Sequence, residues 1–158
     1  MEKFFNKFLS FIFYFFRYRY YKRKYNITNN FRFNGYFIQF AGRGKLLVGN
    51  DSYVSYYTHF MLSENTTLTI GNNVSIAHNV RIYTEGLDTK KFILSGIKKI
   101  KKADVKIGNN VLIGNNTYIN PGITIGDNVF IGANSVITKD IPSNSVVGGV
   151  PAEVIKRY

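Results

Sequence analysis

The chain of 158 residues contains no cysteine and only two histidines, His59 and His78. The first absence rules out a disulfide framework, a thiolate nucleophile and a Cys-ligated metal. The second leaves too few imidazoles for a histidine-rich centre, so no metal is expected. Acidic residues are scarce as well, with 9 Asp+Glu against 21 Lys+Arg, a formal charge of +12. Any long hydrophobic run is also missing. The longest uncharged, mainly apolar stretch near the N-terminus, Phe8 to Phe16, has nine residues, against the roughly 20 that a membrane-spanning helix needs. It is followed by Arg17-Tyr18-Arg19-Tyr20-Tyr21-Lys22-Arg23-Lys24 and not by the small residues of a cleavage site, so neither spanning nor export is expected. Disorder is excluded by a hydrophobic content of 45% and an aromatic content of 16%. The length fits one domain with a sizeable core.

The positive charge falls in three places: residues 1–26, the lysine-rich stretch 90–106, and the last residues with Lys156 and Arg157. The middle of the chain is nearly neutral. No helix-turn-helix, zinc-finger, RRM or KH signature accompanies these cations, so nucleic acid is not an expected partner. In residues 1–26, Phe4, Phe8, Ile12 and Phe16 recur at fourfold spacing with Phe5, Leu9 and Phe13 beside them, which predicts an amphipathic helix. Two fates are open to it. It packs on the rest of the fold or on a partner subunit, or it lies at the interface of an anionic membrane as a peripheral contact.

From Leu46 onward, aliphatic residues recur every six positions: Val48, Val54 and Phe60; Ile70, Ile76 and Ile82; Ile107, Ile113 and Ile119; Ile125, Ile131 and Ile137. A helix would need a period near 3.6, and a sandwich would alternate between irregular hairpins. Six-residue units of one strand and one turn, with Gly, Asn and Asp at the turns, predict an all-β solenoid. Three units make a triangular coil, and the chain holds about five coils. Phe31, Phe33, Phe37, Ile38 and Phe40 are expected to form an aromatic first coil capping the stack. Residues 85–103 break the count and predict one extruded loop, either functional or a solvated lysine-rich excursion without a role. The expected division is 1–26 as the basic aromatic helix and 27–158 as the solenoid.

The stretch Leu68–Arg157 resembles the left-handed β-helix hexapeptide-repeat acyltransferases, in the branch of sugar O-acetyltransferases. The match is carried by Ile107-Gly108-Asn109-Asn110-Val111-Leu112-Ile113-Gly114, by Asn120-Pro121-Gly122-Ile123-Thr124-Ile125-Gly126, by Ile131-Gly132-Ala133-Asn134-Ser135-Val136-Ile137-Thr138-Lys139-Asp140-Ile141-Pro142 and by Gly149-Val150-Pro151-Ala152. The resemblance implies a left-handed parallel β-helix and transfer of an acetyl group from acetyl-CoA to a saccharide hydroxyl, or sometimes to an amine. It also implies a homotrimer with sites between subunits, working in surface-polysaccharide synthesis in the cytoplasm or on the cytoplasmic face of the inner membrane. Carried over position by position, acetyl-CoA would meet Asn115, Ala133, Thr138, Lys139 and Lys156. On the acceptor side the resemblance brings in Tyr57, Asn65 and Glu85 for the substrate. The family's histidine base is expected where this chain has Leu87, in Tyr83-Thr84-Glu85-Gly86-Leu87-Asp88. Leucine cannot take a proton, so the base is sought among His59, His78 and a carboxylate such as Asp88 or Glu85. Without a base, the chain is a non-catalytic relative with a CoA-binding or structural role.

Overall fold

The structure, a computed structural model, describes residues 2–158, the side chains at 2–4, 6 and 10 excepted. Three parallel sheets wrap a single core. On the first face Phe33, Val54, Ile76, Ile113, Ile131 and Val147 stand in register. On the second, Phe40, Phe60, Ile82, Ile119 and Ile137 do so, and on the third, Val48, Ile70, Ile107, Ile125 and Ile141. The six-residue spacing thus places each aliphatic residue over its counterpart in the neighbouring coil. A second inward row lies two residues before it. Val74, Val80, Val111, Ile123 and Val129 are buried at these positions, together with Thr117 and Ser135. Those two hydroxyls are satisfied locally, Thr117 Oγ1 donating to the Gly114 carbonyl at 2.8 Å and Ser135 Oγ to the Gly132 carbonyl at 2.6 Å.

The corners explain the asparagines. Asn73, Asn79, Asn110, Asn116, Asn128, Asn134 and Asn144 all sit in the left-handed region with φ of 53–59°, where asparagine is one of the few tolerated side chains. Their amides form ladders along two corners. Asn73 donates to Asn110 at 2.9 Å, Asn110 to Asn128 at 3.1 Å and Asn128 to Asn144 at 2.9 Å; along the other corner Asn79 donates to Asn116 at 2.9 Å and Asn116 to Asn134 at 3.0 Å. At Gly71, Gly108 and Gly126 a Cβ would overlap atoms of the coil beneath, so close coil stacking itself demands glycine there.

The N-terminal end is built differently. Helix α1 (Glu2–Ile12) runs through a π-helical segment, Phe13–Tyr18, into α2 (Arg19–Lys24). The residues that dock are Tyr18, Tyr21 and Tyr25, all buried, together with the half-buried Phe13, whose ring meets Phe37 edge-on at 5.0 Å. Tyr18 stacks on Phe33 at 4.4 Å between centroids, Tyr21 on Phe40 at 4.9 Å, and Phe40 on Phe60 at 4.5 Å. The expected Phe4-Phe8-Ile12-Phe16 stripe is not the packing face: Phe8 and Phe16 are 53% and 69% exposed, and the side chain of Phe4 lies outside the described residues. The switch arises because the π-helical segment changes the helical phase between the two halves. In the first coil Phe31, Ile38 and Phe40 are buried, but Phe37 turns outward at a corner with φ of 57° and stacks on Tyr57.

Residues 85–103 leave the corner after Tyr83 as an ordered excursion. Glu85–Leu87 pairs antiparallel with Ile100–Lys102, and α3 (Thr89–Ser95) lies between them. At the C-terminal end, Ala152–Arg157 folds back antiparallel on Ser145–Gly149.

Candidate functional site

The second face organises the site, because its short strands have a corner on each side. Pointing outward from its centre, Gln39, His59, Arg81 and Tyr118 stand in register, as do Met61 and Tyr83. His59 Nδ1 lies 3.1 Å from the Tyr83 hydroxyl, and the Tyr83 ring meets those of His59 and Tyr118 edge-on at 5.4 and 5.3 Å. His59, Tyr57, Phe37, Gln39, Asn79 and Arg81 line a cavity of about 610 Å³. Partial burial, with the Arg81 guanidinium, lowers the pKa of His59 below its ordinary value. The imidazole is therefore neutral at neutral pH and able to accept a proton. Burial, reinforced by Tyr83 and opposed by Arg81, raises the pKa of Tyr118 and keeps its phenol protonated.

The corner before this face carries His78, Asn115 and Ala133 in successive coils. The backbone N–H of His78 donates to Asn115 Oδ1 at 2.9 Å, and the next coil follows through Asn134 N–H to the Asn115 carbonyl at 2.8 Å. The His78 ring packs edge-on against Tyr56 at 5.3 Å and shares a cavity of about 800 Å³ with Phe11, Tyr14 and Tyr56. The corner after the face carries the excursion. Leu87, Asp88, Lys101, Tyr118, Asn120 and Thr138 border a third cavity of about 640 Å³. Lys139 follows and pairs with Glu153 at 3.8 Å, while Lys156 Nζ lies 4.4 Å from the centre of the Tyr158 ring.

The remaining candidates have structural partners. Asp88 is the N-cap of α3, its carboxylate accepting from Lys91 N–H at 3.0 Å. Glu85 accepts from Ser63 Oγ at 2.7 Å. Asn65 and Tyr57 both take left-handed corner conformations, with φ of 65° and 61°. Most of the sequence-derived residues therefore fall into two groups, His78, Asn115, Ala133 and Tyr57 along one edge of the face and Thr138, Lys139, Leu87 and Asp88 along the other, while Lys156 lies apart on the C-terminal strand paired with Ser145–Gly149. His59 stands between them. Sequence reasoning missed Arg81, Tyr83 and Tyr118, which count out as the outward residues flanking Ile82 and Ile119 in the same six-residue frame.

Gly132 beside Ala133 differs from the stacked glycines. A Cβ there would meet nothing nearer than 3.5 Å, and the residue has no left-handed φ to accommodate. Coil packing does not require glycine at this position. A bare backbone there leaves room for an extended ligand to approach. Lys139, Lys156 and Arg157 are the cations that follow it in the chain.

Comparison with known proteins finds relatives of this chain. Residues 104–139 match the family described as bacterial transferase hexapeptide (six repeats). Galactoside O-acetyltransferase of Escherichia coli (strain K12) is 39% identical over 104 residues, 65% of this chain and 51% of the relative. Protein CapG of Staphylococcus aureus is 46% identical over 114 residues, 69% of this chain and 64% of the relative. A galactoside acetyltransferase solved in complex with coenzyme A superposes with a TM-score of 0.62 at 36% identity, covering 83% of this chain and 60% of that one. The chain spans about half the length of the first of these relatives and less than two thirds of the other two.

Proposed function

We propose, on the premise that this chain is a hexapeptide-repeat protein similar to the sugar O-acetyltransferases, that it transfers an acetyl group from acetyl-CoA to a saccharide hydroxyl. The coil is read as left-handed, with about five turns, and as one subunit of a homotrimer acting in surface-polysaccharide synthesis on the cytoplasmic side. One observation carries the reading: the residues brought over from the family divide between the two edges of a single face. Ala133 and Thr138 are five residues apart, so a strand separates them by at most roughly 17 Å. A donor site needing both edges is incomplete on one chain and is completed by a neighbouring copy, whose opposite edge meets this one.

In this reading the acetyl-CoA pantetheine passes Gly132 and Ala133, with Asn115 beside it and Thr138, Lys139 and Lys156 toward its other end. His59 is the base that stands in for the histidine replaced by Leu87. In the tautomer that acts as base, Nδ1–H donates to the Tyr83 oxygen and Nε2 carries the free lone pair. It takes the proton of the acceptor hydroxyl as that oxygen bonds to the thioester carbonyl carbon. The carbon–sulfur bond then breaks, and the CoA thiolate leaves with the proton returned from His59. Arg81 and Asn79 line the same cavity and can bind sugar hydroxyls.

A second reading is favoured by Leu87, which borders the third cavity and stands where the resemblance puts a histidine: the chain binds CoA without turning it over. Thiol release from acetyl-CoA with a panel of sugars separates the two. The expected result is turnover by the wild type, a loss of about 10²–10⁴ in kcat for His59→Ala and a much smaller change for His78→Ala. The acid limb of the pH profile should lie below the ordinary histidine value of 6.5, since His59 must be neutral to act. Equal turnover by wild type and His59→Ala removes this histidine from the mechanism. No release with any sugar, while acetyl-CoA still binds, establishes the second reading.

A further inference from the structure

The N-terminal helix has two halves with opposite fates. Tyr18, Tyr21 and Tyr25 fasten its C-terminal half to the first coil. The half before them leaves Phe5, Phe8, Phe11, Tyr14, Phe15 and Phe16 between 46% and 69% exposed. On a helix, Phe5, Phe8, Leu9 and Ile12 share one arc with Phe11 at its margin, and Lys7 lies away from it. Helix α1 has 11 residues, a length of about 16 Å, and no helix among the described residues is long and apolar enough to cross a membrane. The arm ends in a dense basic segment, Arg17, Arg19, Lys22, Arg23 and Lys24. Among the described residues none of these five cations is paired with a carboxylate. In two of them, Arg17 and Arg19, the guanidinium carbon lies over the Phe13 and Phe15 rings at 5.5 and 5.2 Å, so cation and ring share one surface.

We propose that residues 2–17 form an interfacial arm that binds the surface of an anionic bilayer, with the exposed phenylalanines in the headgroup layer and the basic segment against lipid phosphates. Charge complementarity selects this occupant. A second copy of the arm would bring a like-charged basic segment against it, whereas an anionic lipid surface neutralises the cations while the boundary layer takes up the rings. Phe11 and Tyr14 of the arm line the same cavity as His78, so the bound bilayer lies beside the edge that carries Asn115 and Ala133. The arm stands independently of the acetyl-transfer reading, since it rests on no residue of the acetyl-CoA or base assignment.

The test is cosedimentation of the full chain with vesicles of phosphatidylcholine alone and of phosphatidylcholine mixed with phosphatidylglycerol. Truncating the helix would strip Tyr18 and Tyr21 from the first coil, so point substitutions are used. The wild type should bind the mixed vesicles and hardly the neutral ones. Arg19→Gln with Arg23→Gln should weaken that binding roughly thirtyfold, as expected for two surface cations removed. Phe8→Ser with Phe16→Ser should abolish it, with thermal unfolding and oligomeric mass unchanged in both variants. Binding that ignores lipid charge, or that survives both pairs of substitutions, overturns the proposal. So does a fall in oligomeric mass in the Phe variant together with no vesicle binding by the wild type, which would assign the arm to a neighbouring subunit.

Discussion

The coil from Leu68 to Val147 and the aromatic end that precedes it bury their cores by different means. In the coil, one aliphatic residue lies over the next at the strand spacing, and the polar corners satisfy one another through asparagine ladders. At the aromatic end no earlier coil exists to supply such a partner. Flat rings take over: Tyr18 on Phe33 and Tyr21 on Phe40, with hydroxyls that bond the backbone of the first coil. A repeat can reuse one small solution indefinitely, whereas its terminus must cover a wide cross-section at once, and large aromatic side chains do that with few residues.

The coil half of this comparison breaks most sharply at its centre. Ile113 is fully buried between Ile76 and Ile131. Ile113→Ala should cost about 2–5 kcal/mol in denaturant unfolding, because two neighbouring coils close on the site and cannot collapse into the cavity. A cost well under this range would mean that the stack is looser than its register indicates.

Two glycines sharpen the difference between packing and function inside the coil. Gly108→Ala drives a methyl group into the turn of the next coil and should cost about 1–3 kcal/mol. Gly132→Ala meets only ordinary contacts and should leave stability unchanged or raise it by about 0.4–1 kcal/mol through the unfolded chain. In the acetyl-CoA reading, Gly132→Ala nonetheless weakens acetyl-CoA binding, measured by calorimetry. If both variants unfold at lower denaturant and bind acetyl-CoA alike, Gly132 is a packing residue like the other.

The coil was legible because its period is written in the residues that fill it: Ile107, Ile113, Ile119 and Ile125 mark successive faces by spacing alone. The inward row two residues earlier was harder to see, since Thr117 and Ser135 break its run of Val74, Val80, Val111 and Val129. Of the docking face of the helix, only Phe13 was legible. Helical spacing marks the phenylalanines as the apolar stripe, yet the π-helical segment rotates the tyrosines onto the coil instead. The site was half legible. Leu87 marks where the resemblance places a histidine, but the pairing of His59 with Tyr83 depends on neighbouring coils 24 residues apart in sequence, and the division of the carried-over residues between two edges depends on where the corners fall.

The smallest effects expected lie in the aromatic end, and they differ in sign. Tyr18 donates its hydroxyl hydrogen to the Gly35 carbonyl at 2.7 Å and accepts from the backbone of Ile38. Burial, the largest cause, raises its pKa and keeps the phenol protonated as a donor. Tyr18→Phe leaves two backbone groups unpaired and should cost about 1–3 kcal/mol. Tyr25 is also buried in this cap, but its hydroxyl has no hydrogen-bond partner among the described residues. Tyr25→Phe removes an oxygen that was desolvated without compensation, so it should raise stability by about 1 kcal/mol while keeping the ring against Phe40. The readout is the denaturant midpoint at unchanged slope, which isolates native-state stability from changes in the unfolded chain. If both substitutions shift the midpoint downward, the Tyr25 hydroxyl is bonded in solution and the end coil is as fully satisfied as the asparagine-laddered coil it covers.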